Sequence, residues 1–183
     1  MTDGQDKDIL KRFRDPSSRN LAFSELVNRY QERLYWHIRR IVIDHDDADD
    51  VLQNTFIKVF KNLEQFREDS QLYTWLYRIA TNESISFLKS KRRNIFVSLD
   101  DVSHALSSKL EADPQLSGDA IQMKLQKAIL TLPTKQRMVF NMKYFDEMKY
   151  EDMAEVTGTS VGALKASYHH AVKKIEAYMK QQF

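Results

Sequence analysis

Apolar residues recur along this chain at steps of three and four. Phe23, Leu26, Val27, Tyr30, Leu34, Ile38 and Ile41 line one face of an amphipathic helix. Residues 1 to about 20 read as a polar lead into it, with Asn20 as a candidate N-cap. Leu52, Phe56, Val59 and Leu63 predict a second helix with those four side chains buried. A short loop from Phe66 to Ser70 follows, and Asp69 or Ser70 is expected to cap a third helix whose buried stripe is Leu72, Leu76 and Ile79. The pattern fades over 95–118, where Ser, Pro and Gly collect, and this stretch reads as a linker. It restarts with Ile121, Leu125, Ile129 and Leu132, stops before Pro133, and resumes from Arg137 to Phe145. The last stretch predicts a helix–turn–helix. Ala154 is small where the second helix must approach, Gly158 sits at the turn, and Leu164 locks the second helix down, with Ser160 as its cap. The expected fold is all-α. Two small helical domains, 1–94 and 119–183, are joined by a flexible linker, and the second is a helix–turn–helix domain.

Composition narrows the classes. There are four Gly and three Pro, and neither occurs between Ser17 and Asp113, so a turn-rich β-sandwich or barrel has no place there. Gly158 and Gly162 lack the Lys-Ser/Thr of a phosphate-binding loop. Cysteine is absent, which excludes disulfide scaffolds, zinc ribbons and thiol nucleophiles. No run approaches a membrane span, and the opening MTDGQDKD is too polar for a signal peptide. A cytoplasmic protein without membrane insertion is expected.

The net charge of +2 says little, but its distribution is uneven. Residues 44–50 read DHDDADD, at the start of the second helix, where acidic side chains suit the helix dipole. From Trp75 to Arg93 the net charge is +4, on a helix rich in aromatic residues, while 100–119 carries −4. Rings beside a basic run suit single-stranded nucleic acid, since bases stack on them and cations follow the backbone. The same pattern also fits core aromatics followed by a solvated basic C-terminus. On the last helix Val161, Leu164, Tyr168 and Ile175 share one side; Gly162, Lys165, Ala166, His169, His170 and Lys173 share the other. Small residues that allow close approach, flanked by basic ones, suit a helix in the DNA major groove, against the plainer reading of a solvated hairpin. The Asp cluster raises a metal nuclease as an alternative. Five carboxylates spread around a helix start do not converge on one ion, however, and no second acidic motif completes a site. His37 and His45 are poorly spaced for zinc, and His169 and His170 point at different angles. No cofactor, metal or enzymatic activity is expected. A duplex-binding regulator that never touches polymerase is the other rival, and it would leave the first domain unexplained.

Both halves resemble the extracytoplasmic-function sigma factors, the smallest type in the sigma-70 family of bacterial transcription initiation factors. The segment DADDVLQNTFIKVF, Asp47 to Phe60, is similar to the family's region that docks on the polymerase clamp. FREDSQLYTWLYRIATN, Phe66 to Asn82, resembles the segment that opens and reads the minus-ten element. LPTKQRMVF, Leu132 to Phe140, with YEDMAEVTGTSVGALK, Tyr150 to Lys165, resembles the domain that reads the minus-thirty-five element. The resemblance implies a factor that binds core RNA polymerase and directs it to promoter DNA in response to an envelope or environmental signal, monomeric when free and held by an anti-sigma factor. It implies polymerase contacts at Asp49, Asp50, Gln53, Asn54 and Lys58. Minus-ten contacts would fall at Phe66, Arg67, Asp69, Ser70, Trp75, Arg78, Asn82, Lys89 and Arg92. Upstream contacts would fall at Thr159, Ser160, Lys165, Ala166, Ser167, His169, His170 and Lys173. Three features depart from the family's usual pattern. Ser86 stands where an acid is usual, Ala163, Ala166 and Ser167 lack donors, and His169-His170 replace an aromatic and an Arg. These departures leave the location of DNA contact in place but not the base sequence read.

Overall fold

The computed structural model describes residues 3–94 and 120–180, and all regular structure among them is helical. The 95–118 linker lies outside the described residues. In chain order the elements are α1 (Gly4–Arg14), α2 (Arg19–Val42), α3 (His45–Asn62), a short 3-10 turn (Leu63–Gln65), α4 (Leu72–Asn94), α5 (Ala120–Leu130), α6 (Thr134–Tyr144), α7 (Tyr150–Thr157) and α8 (Val161–Lys180).

The first domain packs α1, α3 and α4 around α2, whose stripe of Leu26, Tyr30, Leu34, Ile38 and Ile41 is fully buried. Its entry differs from expectation. The polar lead is a helix, because Ile9, Leu10 and Phe13 fall on one side and bury against α2. Asp6 is buried with them and accepts from the Tyr30 hydroxyl at 2.8 Å, while Lys7, Asp8, Lys11 and Arg14 face solvent. Asp3 caps it by accepting from the Gln5 amide. Helix α2 accordingly begins at Arg19, so Asn20 lies inside it and is not the cap; Ser18 takes the cap position, and its hydroxyl donates to the Arg12 carbonyl at 2.8 Å. Nor do Asp69 or Ser70 cap α4. They lie in the bend before it, and the Gln71 carbonyl accepts the first helical bond from Trp75.

Helix α3 is turned relative to its predicted face. Its buried stripe is Ala48, Val51, Thr55 and Val59, whereas Leu52 and Phe56 are only half-buried. Thr55 sits in the core because its hydroxyl donates to the Val51 carbonyl, which satisfies the group without a partner helix.

The second domain holds the expected helix–turn–helix. Gly158 adopts φ 65°, ends α7 and donates its N–H to Ala154 at 2.9 Å. Ser160 receives the Ala163 amide at the head of α8. Helix α6 is the pivot of the domain. Arg137 through Met142 are six consecutive buried residues, so this helix is covered on both sides. Phe140 belongs to a small cluster with Ala128, Ile129, Leu132, Ala171 and Ile175. Met138, Val139 and Met142 belong to the first domain's cluster instead, together with Met148, Met153, Val156 and Leu164. The two domains therefore meet, α6 against α2 and α7 against α4.

Candidate nucleic-acid interface

Three surfaces carry the expected chemistry. On α8, burial of Leu164, Ala171 and Ile175 against the rest of the domain turns the opposite side outward. Thr159, Ser160, Gly162, Lys165, Ala166, His169, His170 and Lys173 are all exposed, and Ser167 is half-buried. A Cβ on Gly162 would meet nothing within 4 Å, so this side is open. Lys165 lies 5.6 Å from the Tyr150 ring, a cation–π contact that steadies its stem at the mouth of the hairpin.

The second surface is the loop before α4 and the first turns of that helix. Phe66 is 5% exposed and packs against the half-buried Trp75 ring at 5.1 Å, so the pair forms a floor with Trp75 uppermost. Arg67 and Asp69 of the loop and Arg78 and Asn82 of the following turns are exposed, Ser70 is half-buried, and Lys89 is exposed further along the helix. Arg92 lies in the same helix, its side chain outside the described residues. The core of α4 is Leu72, Leu76, Tyr77 and Ala80; Ile79 is only half-buried.

The third surface is the outer side of α3. Asp44 caps the helix by accepting from the Asp47 amide at 3.2 Å, and Asp47 pairs with Lys91 of α4. That leaves Asp49, Asp50, Gln53 and Asn54 pointing into solvent; Lys58 is exposed and pairs with Glu83. Beside them lies an apolar groove of about 390 Å³ lined by Phe23, Gln53, Phe56, Ile57, Phe60 and Lys61. Helix periodicity buries Phe56, whereas the rotated α3 half-exposes it and exposes Ile57 and Phe60, which sequence reasoning missed.

Residues 26–94 match the family described as Sigma-70 region 2, and 122–175 the one described as Sigma-70, region 4. The RNA polymerase sigma-H factor of Pseudomonas aeruginosa is 32% identical, over 96% of this chain and 94% of its own. The chain belongs to the sigma-70 family, in its extracytoplasmic-function branch. The ECF sigma factor SigW of Bacillus subtilis is 28% identical over 87% of this chain and 89% of its own. Among solved structures, CnrH in complex with the cytosolic domain of CnrY shares the fold at TM-score 0.70 and 23% identity, over 98% of this chain and 99% of that one. The sigma factor RpoE of Bartonella quintana, in complex with the anti-sigma factor NepR, does so at TM-score 0.70 and 21% identity, over 88% and 98%. As a sigma factor the protein has no enzymatic role. It binds core RNA polymerase and directs it to promoter DNA for initiation. No helix among the described residues is long and apolar enough to cross a membrane.

Two histidines singled out in the sequence sit in unlike places. His45 is exposed at the head of α3, 3.7 Å from Asp49. His37 is 1% exposed, with Nδ1 at 2.8 Å from Asp146 and Nε2 at 2.9 Å from Thr81 Oγ1. Nothing in the sequence pattern joins His37 to Asp146.

Proposed function

We propose that the three surfaces divide the sigma factor's work. The outer side of α3 docks on core polymerase. Asp49, Asp50, Gln53, Asn54 and Lys58 supply polar contacts, and the Phe23–Phe56–Ile57–Phe60 groove supplies the apolar area that anchors an interface. The Phe66–Trp75 floor, with Arg67, Asp69, Ser70, Arg78 and Asn82, receives an extruded base of the minus-ten element, and Lys89 and Arg92 belong to the same contact further along α4. Extrusion costs a few kcal/mol and needs a pocket to offset it. The outward side of α8 reads the minus-thirty-five element through Lys165, His169, His170 and Lys173. Thr159, Ser160 and Ser167 reach backbone or base edges, and Ala166 permits close approach. The factor acts in the cytoplasm, monomeric when free. An anti-sigma factor holds it until an envelope or environmental signal releases it, a reading supported by the NepR-bound relative.

The observation that carries this reading is the coincidence of exposure. Apart from the buried Phe66, the described side chains assigned to nucleic acid and polymerase are exposed or half-buried on or beside α3, α4 and α8, while the opposite sides of those helices build the cores. A single experiment separates the roles. Asp50→Ala with Gln53→Ala should weaken core polymerase binding while changing stability by less than about 0.5 kcal/mol. Asn82→Ala should bind core normally but lose permanganate reactivity of melted DNA on a genomic template. Unchanged core affinity in the first variant, or unchanged footprints in the second, would remove the corresponding assignment.

A further inference from the structure

Two arginines near the start of the chain reach the loop that carries the base-receiving floor. Arg14 is the last residue of α1, and its guanidinium lies 3.2 Å from the Glu68 carboxylate. Arg19, the first residue of α2, pairs with Glu64 at 2.9 Å. Glu64 and Glu68 flank Phe66 at equal spacing in the chain, so the two ion pairs straddle the ring that supports Trp75. Glu68 itself has φ 60°, in the left-handed region where a residue other than glycine is strained. Such a conformation persists when its surroundings hold it, and it collects at functional loops. Among the described residues Arg67, Asp69 and Ser70 make no side-chain hydrogen bond or ion pair, so Glu68 is the polar tie between this loop and the rest of the fold.

The other end of that tie is rigid. Phe13, next to Arg14, is 2% exposed and meets Phe60 of α3 edge-on at 5.6 Å. Its carbonyl accepts from Arg19 Nε at 3.1 Å, and its ring lies 5.2 Å from the same guanidinium. Asp15 closes the corner between the helices by accepting from the Ser17 amide and hydroxyl at 2.9 and 2.8 Å. Arg14 therefore leaves a corner fixed by packing and by hydrogen bonds. Its side chain is 49% exposed, and an ion pair so open to water adds little to stability. What it sets is the course of the loop after the 3-10 turn. The match to Sigma-70 region 2 begins at residue 26, so α1 and both arginines lie ahead of it.

We propose that Arg14 is a positioning residue for promoter opening: by holding Glu68 it keeps the loop from Phe66 to Ser70 in the shape that receives the extruded base, with α1 as the fixed arm. The role rests on the minus-ten reading proposed above. Arg19 steadies the near end of the segment through Glu64, and Arg14 the far end, next to Asp69 and Ser70. A loop already in its binding shape loses less freedom when the base arrives. Loosening it should slow opening and blur the choice of base, and leave polymerase binding as it was.

Hydrogen exchange in the free, full-length factor tests the tie itself. Arg14→Gln should speed exchange of the amides of 67–70 by about fivefold or more and leave α2 and α4 at their original values. The consequence is read with core polymerase on duplexes carrying a promoter that the parent factor opens, with each of the four bases placed in turn at each minus-ten position. Arg14→Gln should bind core with parental affinity, open the preferred duplex roughly three- to tenfold more slowly, and narrow the preference among bases. Arg14→Lys should recover part of that preference, and Arg14→Glu with Glu68→Arg most of it. Preference is the measure for the reversed pair, because an arginine at 68 also adds charge near phosphates. Parental exchange of 67–70 or a parental preference in Arg14→Gln overturns the role of Arg14, as does a loss that neither the lysine nor the reversed pair repairs. Asn82→Ala, run alongside, separates the two readings. Lost opening there with a parental Arg14→Gln leaves the pocket standing and removes Arg14 from it, whereas unchanged opening in Asn82→Ala removes the pocket and the role of Arg14 together.

Discussion

The two domains differ in how much of their interior they own. The first closes α1, α3 and α4 over α2, and its core residues Leu26, Leu34, Ile38, Val59, Leu72 and Leu76 come from its own helices. The second has a private cluster of six buried residues, and seven more of its buried apolar residues complete a cluster centred on the first. A domain that lends half its apolar surface to a neighbour is built to be placed. Its DNA-facing side is free because its other side has somewhere to go.

Breaking each interior in turn should expose this asymmetry. Truncating a fully buried leucine or isoleucine costs roughly 2–5 kcal/mol. Leu34→Ala should lower protection from hydrogen exchange in both domains, because the shared cluster rests on α2. Ile175→Ala should lower it in α5, α6 and α8 and leave α1–α3 near their original values. Equal losses everywhere for Ile175→Ala would show that the two cores melt as one.

The DNA-facing side of the second domain offers a sharper contrast. Lys165→Ala should weaken binding to duplexes carrying a promoter that the factor opens by roughly 1–3 kcal/mol if it reads a base. Imidazoles gain charge as pH falls from about 8 to 6, and phosphates favour the charged form. Affinity at fixed salt should rise over that range, and His169→Ala with His170→Ala should flatten the slope. A full slope in the double variant would put the two imidazoles away from DNA.

These effects can be compared with what the sequence already showed. Helix α2 was legible because its stripe holds the helical period over nineteen residues, from Phe23 to Ile41. The helix–turn–helix was legible because Ala154, Gly158 and Leu164 each have a steric reason to stand where they do. Helix α1 was not, because Ile9, Leu10 and Phe13 are too few among charged neighbours to establish a period. On α3, four apolar residues at the right spacing pointed to Phe56 as core, yet the small Ala48 and Thr55 bring that side of the helix closer to α2 and α4. The interdomain contact left no local trace. Asp146 and His37 are 109 positions apart, and a charged residue in a loop reads as solvated until its partner is in view.

Alkaline pH separates the contact between the domains from the interiors by a smaller margin. Burial first, and then the bond to Asp152, push the Tyr73 hydroxyl up to about 12, against about 10 in an unfolded chain. Burial first and Asp146 second push Tyr77 to about 12 as well. A folded value above the unfolded one means that the contribution is intact below pH 10 and lost as pH rises through 12. Transfer efficiency between dyes on Lys7→Cys and Glu176→Cys, exposed positions one in each domain, should fall over that window, and Tyr73→Phe should remove part of the fall while Tyr77 keeps the rest. A Tyr73→Phe profile that overlays the parent would assign the whole response to other groups.

The smallest effect concerns one methyl group. Gly162→Ala has open space for its Cβ and a helical backbone, so stability should rise by about 0.5–1 kcal/mol in thermal melts. Affinity for promoter duplex should fall in the same protein if α8 lies as close to the groove as its small residues suggest. A variant that is more stable and binds as before would place Gly162 at the rim of the contact.

The chain's two tryptophans happen to stand at its two points of change. Trp36 lines the cavity of about 280 Å³ at the joint between α2, α5 and α6, and Trp75 lies on Phe66 at the melting platform. The protein therefore carries an intrinsic optical reporter for each event. Opening of the joint wets the Trp36 indole and shifts its emission to the red. Arrival of an unstacked base quenches Trp75 by ring-to-ring contact. With Trp36→Phe and Trp75→Phe as references, stopped-flow emission from an otherwise unlabelled factor can time which event comes first.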